Sequence, residues 1–308
     1  MNEKQINELT LKAFAKINLV LDITGRRPDG YHDLASVMQE IGLYDTVTIR
    51  KTAGVIKLKV EFDDGVERGF SLVPDDTKNL AYRAAELLLN DAKVDGGVEI
   101  ILHKNIPVAA GLAGGSTDAA TVLRGINVLY DLYYDTGRLC DLGVKLGADV
   151  PFCIVGGTML AEGIGEKLQA LSIPGSVYVL LAKPPIAVST KEVYQAYDKL
   201  LEENPPVLAD IEKVKSAIEE GSADALASCL YNALALVTEP LHPEIVQLRE
   251  EILKEGAEGA LMSGSGPSVF GLYDDLQTAK KAADRLQERF PEVFFTAVPF
   301  CYNHKELE

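Results

Sequence analysis

The chain has few cysteines. Its 308 residues include four, Cys140, Cys153, Cys229 and Cys301, and no two of them form a C-x-x-C pair. Disulfide frameworks and zinc sites require cysteines that are paired or clustered at short spacing. The sequence therefore predicts reduced thiols in a cytoplasmic protein and argues against a structural zinc site.

Positive charge is also scarce. The chain has 30 Lys and Arg against 46 Asp and Glu, a formal net charge of −16. Nucleic acids and acidic membrane surfaces are bound by clustered cations, so neither is expected as a partner. A small anionic ligand remains compatible with this composition, because the N-terminus of a helix attracts anions locally.

Long apolar runs are missing. No stretch approaches the roughly 20 apolar residues of a membrane span. The first residues, MNEKQINELT, lack the basic start and apolar run of a signal peptide. Hydrophobic residues make up 47% of the chain and charged residues 25%, as in ordinary globular proteins. We expect a soluble protein, and either a monomer or a homodimer is compatible with the sequence.

The length is sufficient for two modest domains. Residues 161–175 are rich in glycine, contain a proline and have few large apolar side chains, a pattern typical of a boundary between domains. The sequence therefore predicts an N-terminal domain of residues 1–165 and a C-terminal domain of residues 166–308.

Alternating apolar residues predict strands in the N-terminal half, at residues 11–23, 45–50, 55–62 and 98–102. Asp76 or Thr77 is expected to cap a helix that runs to about residue 90. On the first strand Lys16 and Asn18 would face the same side, about 6–7 Å apart. They are candidates for contact with a phosphoryl group, or else belong to a solvated strand face.

The C-terminal half has a different order of elements. Its patterns predict a strand at 177–182, helices at 190–203, 207–219 and 242–255, a strand pair around MSGSGPSVFGLY, a helix at 276–289 and a closing strand, VFFTAVPF. This order is typical of a ferredoxin-like α+β sandwich.

A glycine-rich stretch, PVAAGLAGGSTDAA, lies between a predicted strand and a predicted helix. Gly111, Gly114 and Gly115 leave backbone N–H groups bare, and Ser116 or Thr117 could cap the helix. Such an arrangement binds phosphate, although a plain loop is the alternative. The stretch lacks the lysine of a Walker-type loop and the spacing of a dinucleotide fingerprint. We call residues 107–117 the phosphate loop.

Three other segments hold candidate residues. Asp149, in the apolar stretch GADVPF, is either a catalytic base or a capping residue. Tyr31 and His32 follow a turn in GRRPDGYHDL and could hold a nucleobase or simply contribute to packing. The segment Gly264–Ser265–Gly266, which we call the GSG turn, is either a hairpin turn or a close approach to a ligand.

Taken together, these segments resemble a known family. AKINL, PVAAGLAGGSTDAA and MSGSGPSVFGL resemble the three-motif pattern of the GHMP small-molecule kinases. AKINLVLDITGRRPDGYHDL and LGADVPFCIVGGTMLAEGIGE narrow the resemblance to the branch that acts on CDP-methylerythritol. The resemblance covers nearly the whole chain, from about residue 11 to residue 300.

The resemblance implies an α+β fold of two domains. The N-terminal, ATP-binding domain would be like ribosomal protein S5 domain 2, the C-terminal domain would be ferredoxin-like, and the active site would lie in the cleft between them. The implied activity is ATP-dependent phosphorylation of the tertiary 2-hydroxyl of the substrate, in the non-mevalonate route to isoprenoid precursors. ATP and Mg²⁺ would be the cofactors.

The resemblance also implies roles for individual residues. Asp149 would take the hydroxyl proton, and Lys16 would hold Asp149 ionised and assist the transferring phosphoryl group. The GSG turn would support the loop that wraps the ATP phosphates, whose residues are Pro107, Val108, Ala109, Ala110, Gly111, Leu112, Ala113, Gly114, Gly115, Ser116 and Thr117. By its chemistry, the hydroxyl of Ser116 could bind either a phosphate or Mg²⁺.

The remaining implied roles concern the bases and the substrate. Tyr31 and His32 would hold the cytosine, Tyr194 would close its other face, and Thr190 would lie nearby. Asn18 would contact the substrate. Asn79 would approach the adenine.

Two positions depart from many relatives of that family. Ala113 replaces a glycine, and we expect a different local shape there because alanine tolerates positive φ less well. Asp118 adds a negative charge near the phosphates and is expected to serve the N-terminus of the helix instead.

Two alternatives remain open. Another GHMP kinase, of the homoserine or mevalonate type, would share the phosphate loop but would have no cytosine to bind. A non-catalytic ligand sensor on the same fold would keep the cleft without the chemistry. The joint presence of Lys16, Ser116 and Asp149 favours an enzyme.

Overall fold

Two long antiparallel strands form the centre of the N-terminal half. The computed structural model describes residues 6–62, 73–203 and 209–302. In it, β1 spans Glu8–Arg26 and β2 spans His32–Thr52. Register shifts interrupt their pairing between Phe14 and Lys16, between Asn18 and Val20 and again near Gly25. These shifts bend the strands locally, as β-bulges do.

Among the described residues, seven strands form the first sheet. Its main order is β3-β4-β2-β1-β8, while β5 pairs with β2 and β6 pairs with β5. The further strands are β3 (Lys57–Phe62), β4 (Gly97–Lys104), β5 (Thr158–Gly163), β6 (Lys167–Leu171) and β8 (Tyr231–Asn232). The four predicted strands are found, but the first half of β2 was not predicted.

Within the described ranges, four helices accompany this sheet: α1 (Leu80–Asp91), α2 (Gly114–Leu129), α3 (Thr136–Gly143) and α4 (Val150–Val155). The predicted cap of α1 is wrong, because Asn79 is the N-cap and its Oδ1 accepts the N–H of Ala81 at 2.9 Å. The predicted cap of α2 is also wrong. That helix begins at Gly114, after Ala113 in the left-handed region, so Ser116 and Thr117 already lie in its first turn.

The second sheet has four antiparallel strands among the described residues, in the order β11-β7-β10-β9. With helices in the first and last connections, this is the ferredoxin-like order that the sequence predicts. The elements are β7 (Tyr178–Lys183), α5 (Thr190–Glu203), α6 (Ile211–Glu220), α7 (Ala223–Ala227), α8 (Ala235–Thr238), α9 (Pro243–Lys254), β9 (Gly259–Met262), β10 (Val269–Tyr273), α10 (Leu276–Arg289) and β11 (Phe294–Pro299), with a 3₁₀ turn at Glu239–Leu241.

The N-terminal and C-terminal halves of the chain are joined by strand pairing and by shared apolar clusters. Strand β8, from the C-terminal half, pairs in parallel with β1 through Val20↔Tyr231. Buried residues of β1 contribute to three apolar clusters, with Ala13 in the first, Ile17 in the second and Ile23 in the third. Consequently β1 is covered on both faces from residue 13 to residue 23.

The division at residues 165/166 stays a prediction. Since β6 belongs to the first sheet and β7 to the second, we propose that the boundary lies between Leu171 and Tyr178. All four cysteines are free thiols. Within the described ranges, no helix combines the length and apolar character needed to cross a membrane.

Candidate active site

A cavity of about 490 Å³ collects most of the predicted site residues. It lies where β1, the start of α2 and the GSG turn come together. The predicted residues that line it are Lys16, Asn18, Asn79, Pro107, Val108, Ala109, Ala110, Gly111, Ala113, Gly114, Gly115, Ser116, Asp149, Thr190, Tyr194, Gly264 and Ser265. Leu112, Thr117, Tyr31, His32 and Gly266 are not part of its lining.

Lys16 and Asp149 face each other in this cavity. Nζ of Lys16 lies 3.6 Å from Oδ2 of Asp149, with 6% of the lysine side chain and 34% of the aspartate side chain exposed. The solvated strand face considered for Lys16 is therefore wrong. Asp149 precedes α4, but its side chain makes no capping hydrogen bond. Its carboxylate is thus available to a ligand.

A buried hydrogen-bond chain fixes Asn18. Its Oδ1 accepts from Lys16 Nζ at 2.7 Å, and its Nδ2 donates to Oγ of Ser36 at 2.9 Å. Ser36 in turn donates to the backbone oxygen of Val20 at 2.7 Å. Because Ser36 accepts from the amide and donates onward, the orientation of Asn18 is determined. Sequence reasoning missed Ser36, which lies on the part of β2 that was not predicted.

The phosphate loop rests on the GSG turn and its neighbours. The N–H of Lys16 donates to the carbonyl of Leu112 at 3.1 Å, and Ser263 Oγ donates to the carbonyl of Gly111 at 3.2 Å. Nδ2 of Asn232 donates to the carbonyls of Met262 and Gly264, each at 2.8 Å. Ser263 lies within the MSGSGPSVFGL motif but was assigned no role from the sequence, and Asn232 carried no sequence signal.

The first turn of α2 presents unpaired donors. Ala113, its N-cap, has φ +58° and makes no side-chain capping bond. The expectation that alanine changes the local shape by avoiding positive φ is wrong, since Ala113 adopts the left-handed conformation favoured by glycine. The N–H groups that open a helix have no intrahelical partner, so the N-terminus of α2 is suited to an anion.

A buried charge cluster lies beside this turn. Nζ of Lys104 donates to Oδ2 of Asp45 and, at 2.6 Å, to Oδ2 of Asp118. The expectation that Asp118 serves the helix N-terminus is therefore wrong. Burial, opposed by the charge of Lys104 and assisted by that of Asp45, raises the pKa of Asp118 to about 7. Burial lowers the pKa of Lys104, but the two carboxylates outweigh it and hold that pKa above its usual value.

Two of the predicted cytosine residues contact each other: Tyr194, which lines the cavity, and His32, which does not. The rings of His32 and Tyr194 are in tilted contact, with centroids 4.9 Å apart, and Nε2 of His32 lies 2.6 Å from Oδ1 of Asp198. Burial raises the pKa of Tyr194, and the negative charge of Asp149 raises it further, so this hydroxyl stays protonated. Tyr31 is 60% exposed.

The side chains of Asn79 and Thr190, the two other predicted contacts, already make hydrogen bonds within the protein. Asn79 uses Oδ1 to cap α1 and Nδ2 to donate to the carbonyl of Pro74 at 2.6 Å. Its side-chain amide is therefore engaged at the rim of the cavity. Thr190 begins α5, and its hydroxyl lies 2.8 Å from that of Ser265 in the GSG turn.

Comparison with known proteins identifies the family of the chain. Residues 79–157 match the GHMP kinases N terminal domain, and residues 214–292 match the GHMP kinases C terminal domain. A 4-diphosphocytidyl-2-C-methyl-D-erythritol kinase of Clostridium botulinum (strain Eklund 17B / Type B) is 44% identical over 94% of this chain and 99% of its own. The kinase of the same name from Exiguobacterium sibiricum is 45% identical over 93% and 96%.

Solved structures show the same architecture. A crystal structure of 4-(cytidine 5'-diphospho)-2C-methyl-D-erythritol kinase superposes with a TM-score of 0.76 at 34% identity, covering 95% of this chain and 99% of that one. A homoserine kinase from Cytophaga hutchinsonii gives 0.77 at 17% identity, over 99% and 98%, a likeness of fold alone. These matches confirm the predicted two-domain GHMP kinase fold. By sequence identity over nearly its full length, the chain belongs to the 4-diphosphocytidyl-2-C-methyl-D-erythritol kinases of the GHMP superfamily.

Proposed function

We propose that this chain transfers the γ-phosphoryl group of ATP to the 2-hydroxyl of 4-diphosphocytidyl-2-C-methyl-D-erythritol, in the non-mevalonate route to isoprenoid precursors. Relatives at 44% and 45% identity bear that kinase name. The structural observation that carries the proposal is the Lys16–Asp149 pair, which shares one cavity with the phosphate loop.

Asp149 is the proposed acceptor of the hydroxyl proton. Its carboxylate lines the cavity and makes no capping bond, so it is free to contact the attacking oxygen. Phosphoryl transfer depends mainly on positioning and on stabilising charge. Lys16, 3.6 Å from Asp149, supplies positive charge next to both the carboxylate and the incoming phosphoryl group. Asn18, held by Ser36, would orient the alcohol.

The phosphate loop is the proposed binding site for the ATP phosphates. Its support comes from the bare backbone of Gly111, Gly114 and Gly115 and from the open N-terminus of α2. Among the described residues, no group of three or more His, Cys, Asp and Glu side chains could hold a metal ion. Mg²⁺ is commonly bound by phosphates with one or two protein oxygens. We propose that Mg²⁺ enters with ATP and binds the Ser116 hydroxyl, where it would offset phosphate charge.

The cytosine is assigned to the end of the site near Tyr194. His32 and Tyr194 are in contact, so the proposal places the base against this pair, with Tyr31 covering it from its exposed position. Thr190 lies next to the GSG turn, and Asn79 is proposed near the adenine. All these residues come from one chain, so a monomer and a homodimer would both be active.

The test is ADP release by the purified protein with Mg·ATP and one alcohol at a time. Turnover is expected with 4-diphosphocytidyl-2-C-methyl-D-erythritol and not with homoserine or mevalonate. Turnover only with homoserine or mevalonate would contradict the substrate assignment and leave the phosphate loop intact. ATP binding without turnover of any of the three alcohols would favour a ligand sensor.

A further inference from the structure

A buried lysine holds two buried carboxylates together at the base of the phosphate loop. Lys104, Asp45 and Asp118 expose 4%, 0% and 3% of their side chains. The ammonium of Lys104 donates to both carboxylates, which come from β2 and α2. Removing one partner from a buried ion pair leaves an uncompensated charge. The three side chains therefore behave as one unit, which we call the Lys104 clamp.

The Lys104 clamp reaches both ends of the loop. Before the loop, Oδ1 of Asp45 accepts the N–H groups of Asn105 at 2.6 Å and Ile106 at 2.8 Å. After the loop, Asp118 follows directly in the second turn of α2. The ammonium of Lys104 thus connects hydrogen-bond partners at the two ends of the phosphate loop.

The clamp also borders the cavity. Lys104 and Asp118 are among its lining residues. A Cβ at Gly114 would lie 3.3 Å from Ile106 Cγ2 and 3.6 Å from Nζ of Lys104, so the first residue of α2 sits directly on the clamp. Within the described part of the chain, Oδ1 of Asp118 is buried without a hydrogen-bond partner. One cation shared by two carboxylates gives no net positive charge, so the clamp supports the loop without attracting the phosphates.

We propose that Lys104 is a positioning residue of the nucleotide site, which fixes the ends of the phosphate loop by bridging Asp45 and Asp118. The inference rests on the proposed function in that ATP is taken as the ligand of this loop. In this proposal Lys104 does not contact the alcohol. Loss of the bridge should therefore affect nucleotide binding and leave the binding of the alcohol intact.

The experiment compares Lys104→Met, Lys104→Arg and the control Lys183→Met. Lys183 is another buried lysine, which donates to the carbonyl of Ile186 at 2.8 Å and does not line the cavity. Calorimetry with ADP should show binding weakened about tenfold in Lys104→Met, the scale of one charge-assisted hydrogen bond. Lys104→Arg should recover part of this loss. Lys183→Met should bind ADP as the unsubstituted protein does.

Two further measurements separate positioning from general destabilisation. In Lys104→Met, amide exchange should accelerate in residues 107–117, and KM should rise for ATP while KM for the alcohol stays unchanged. Should that variant not fold, Asp118→Asn, which keeps the shape of the side chain but cannot ionise, should show the same pattern more weakly. Unchanged ADP affinity in the variants that fold, or equal loss of affinity for both substrates, would overturn the proposal.

The two proposals fail in different ways. If the unsubstituted protein binds ADP but phosphorylates no alcohol, the proposed function is wrong, and the ADP measurements still decide the role of Lys104. If it phosphorylates the cytidyl alcohol and Lys104→Met binds ADP normally, the function stands and the positioning role is wrong.

Discussion

Nε2 of His32 lies 2.6 Å from Oδ1 of Asp198 and joins the start of β2 to α5. An ionised carboxylate only accepts hydrogen bonds, so in this contact Nε2 of His32 donates to Asp198. The contact with Asp198 thereby orients the ring of His32, which we assign to the binding of cytosine.

Asp198→Ala should weaken binding of the cytidyl alcohol. We expect its KM to rise about fivefold to tenfold, since the loss of a hydrogen bond that orients His32 is worth roughly 1 kcal/mol. Asp198→Asn, which keeps an acceptor, should recover part of the affinity. Steady-state kinetics with each substrate varied in turn will check this, and KM for ATP should not change. An unchanged KM for the alcohol in Asp198→Ala would separate His32 from base recognition.

Asp149→Asn tests the proposed base. The amide cannot take the proton, so we expect kcat to fall about 10²-fold to 10⁴-fold, the usual contribution of general-base catalysis. ATP affinity, measured by calorimetry, should remain. Asp210→Asn is the control, because Asp210 caps α6 and lies outside the cavity lining. Near-normal kcat in Asp149→Asn would mean that the carboxylate is dispensable.

Ser36→Ala tests the hydrogen-bond chain behind Asn18. The amide of Asn18 would lose its acceptor in a buried place, so the free energy of unfolding should fall by roughly 1–2 kcal/mol. KM for the alcohol should rise, because Asn18 would no longer be held in one orientation. Urea unfolding and steady-state kinetics will measure both effects.

The matched control for that serine is Ser268→Ala. Both serines are fully buried, but Oγ of Ser268 has no hydrogen-bond partner among the described residues. Its removal should leave stability and KM almost unchanged. If both variants behave alike, the effect of Ser36→Ala reflects burial and not the orientation of Asn18.

Features that depend on residues close together in the sequence were predicted, whereas contacts between residues far apart in the sequence were not. Helix Thr190–Glu203 was predicted at about these bounds, because its periodicity is local. The position of the glycine-rich loop between β4 and α2 was predicted because glycines between a strand and a helix are a local signal. Lys104 and Asp45 are 59 residues apart, and the sequence around each residue does not indicate their contact. Asp118 was misassigned for the same reason, since its partner comes from another strand.

The same distinction applies on β1. Alternation predicted that Lys16 and Asn18 share a face, and Lys16 Nζ does contact Asn18 Oδ1. Their burial could not be predicted, because β1 is covered on its second face by elements from the C-terminal half. Burial of this kind depends on tertiary packing, which strand periodicity does not encode.

Asp118→Asn should change how stability depends on pH. The pKa of Asp118 is raised from 3.8 to about 7, mainly by burial, so between these values the folded protein holds a proton that the unfolded chain has released. The free energy of unfolding contributed by this group therefore falls as pH rises through that window. Without this group, the stability of the variant relative to the unsubstituted protein should increase from pH 4 to pH 7, by roughly 1–4 kcal/mol.

Thermal or urea unfolding across that range will measure the difference. Asp275→Asn is a control of opposite sign, because hydrogen bonds from Thr278 lower the pKa of Asp275. A group with a lowered pKa contributes stability that is present at high pH and lost on acidification. The relative stability of Asp275→Asn should thus decrease as pH rises. A flat difference curve for Asp118→Asn would mean that this carboxylate is not protonated at pH 6.

Gly111→Ala tests the contact between the phosphate loop and the segment that precedes the GSG turn. Gly111 has φ +74°, and an added Cβ would lie 2.3 Å from the carbonyl oxygen of Ser263. Two backbones would have to separate, so we expect ATP affinity to fall at least about tenfold. Gly256→Ala is the control, since Gly256 has φ +91° and open space around the added Cβ.

Both glycine variants place alanine at positive φ and should lose a similar amount of stability, about 1 kcal/mol, from backbone strain. Only Gly111→Ala adds a clash, which should lower the stability of that variant further. Thermal unfolding should therefore show a loss of stability from strain in both variants. Calorimetry should show weaker ATP binding in Gly111→Ala alone. If Gly256→Ala also weakened ATP binding, strain transmitted through the fold would explain both variants. The close approach of Gly111 to Ser263 would then have no specific role in binding the phosphates.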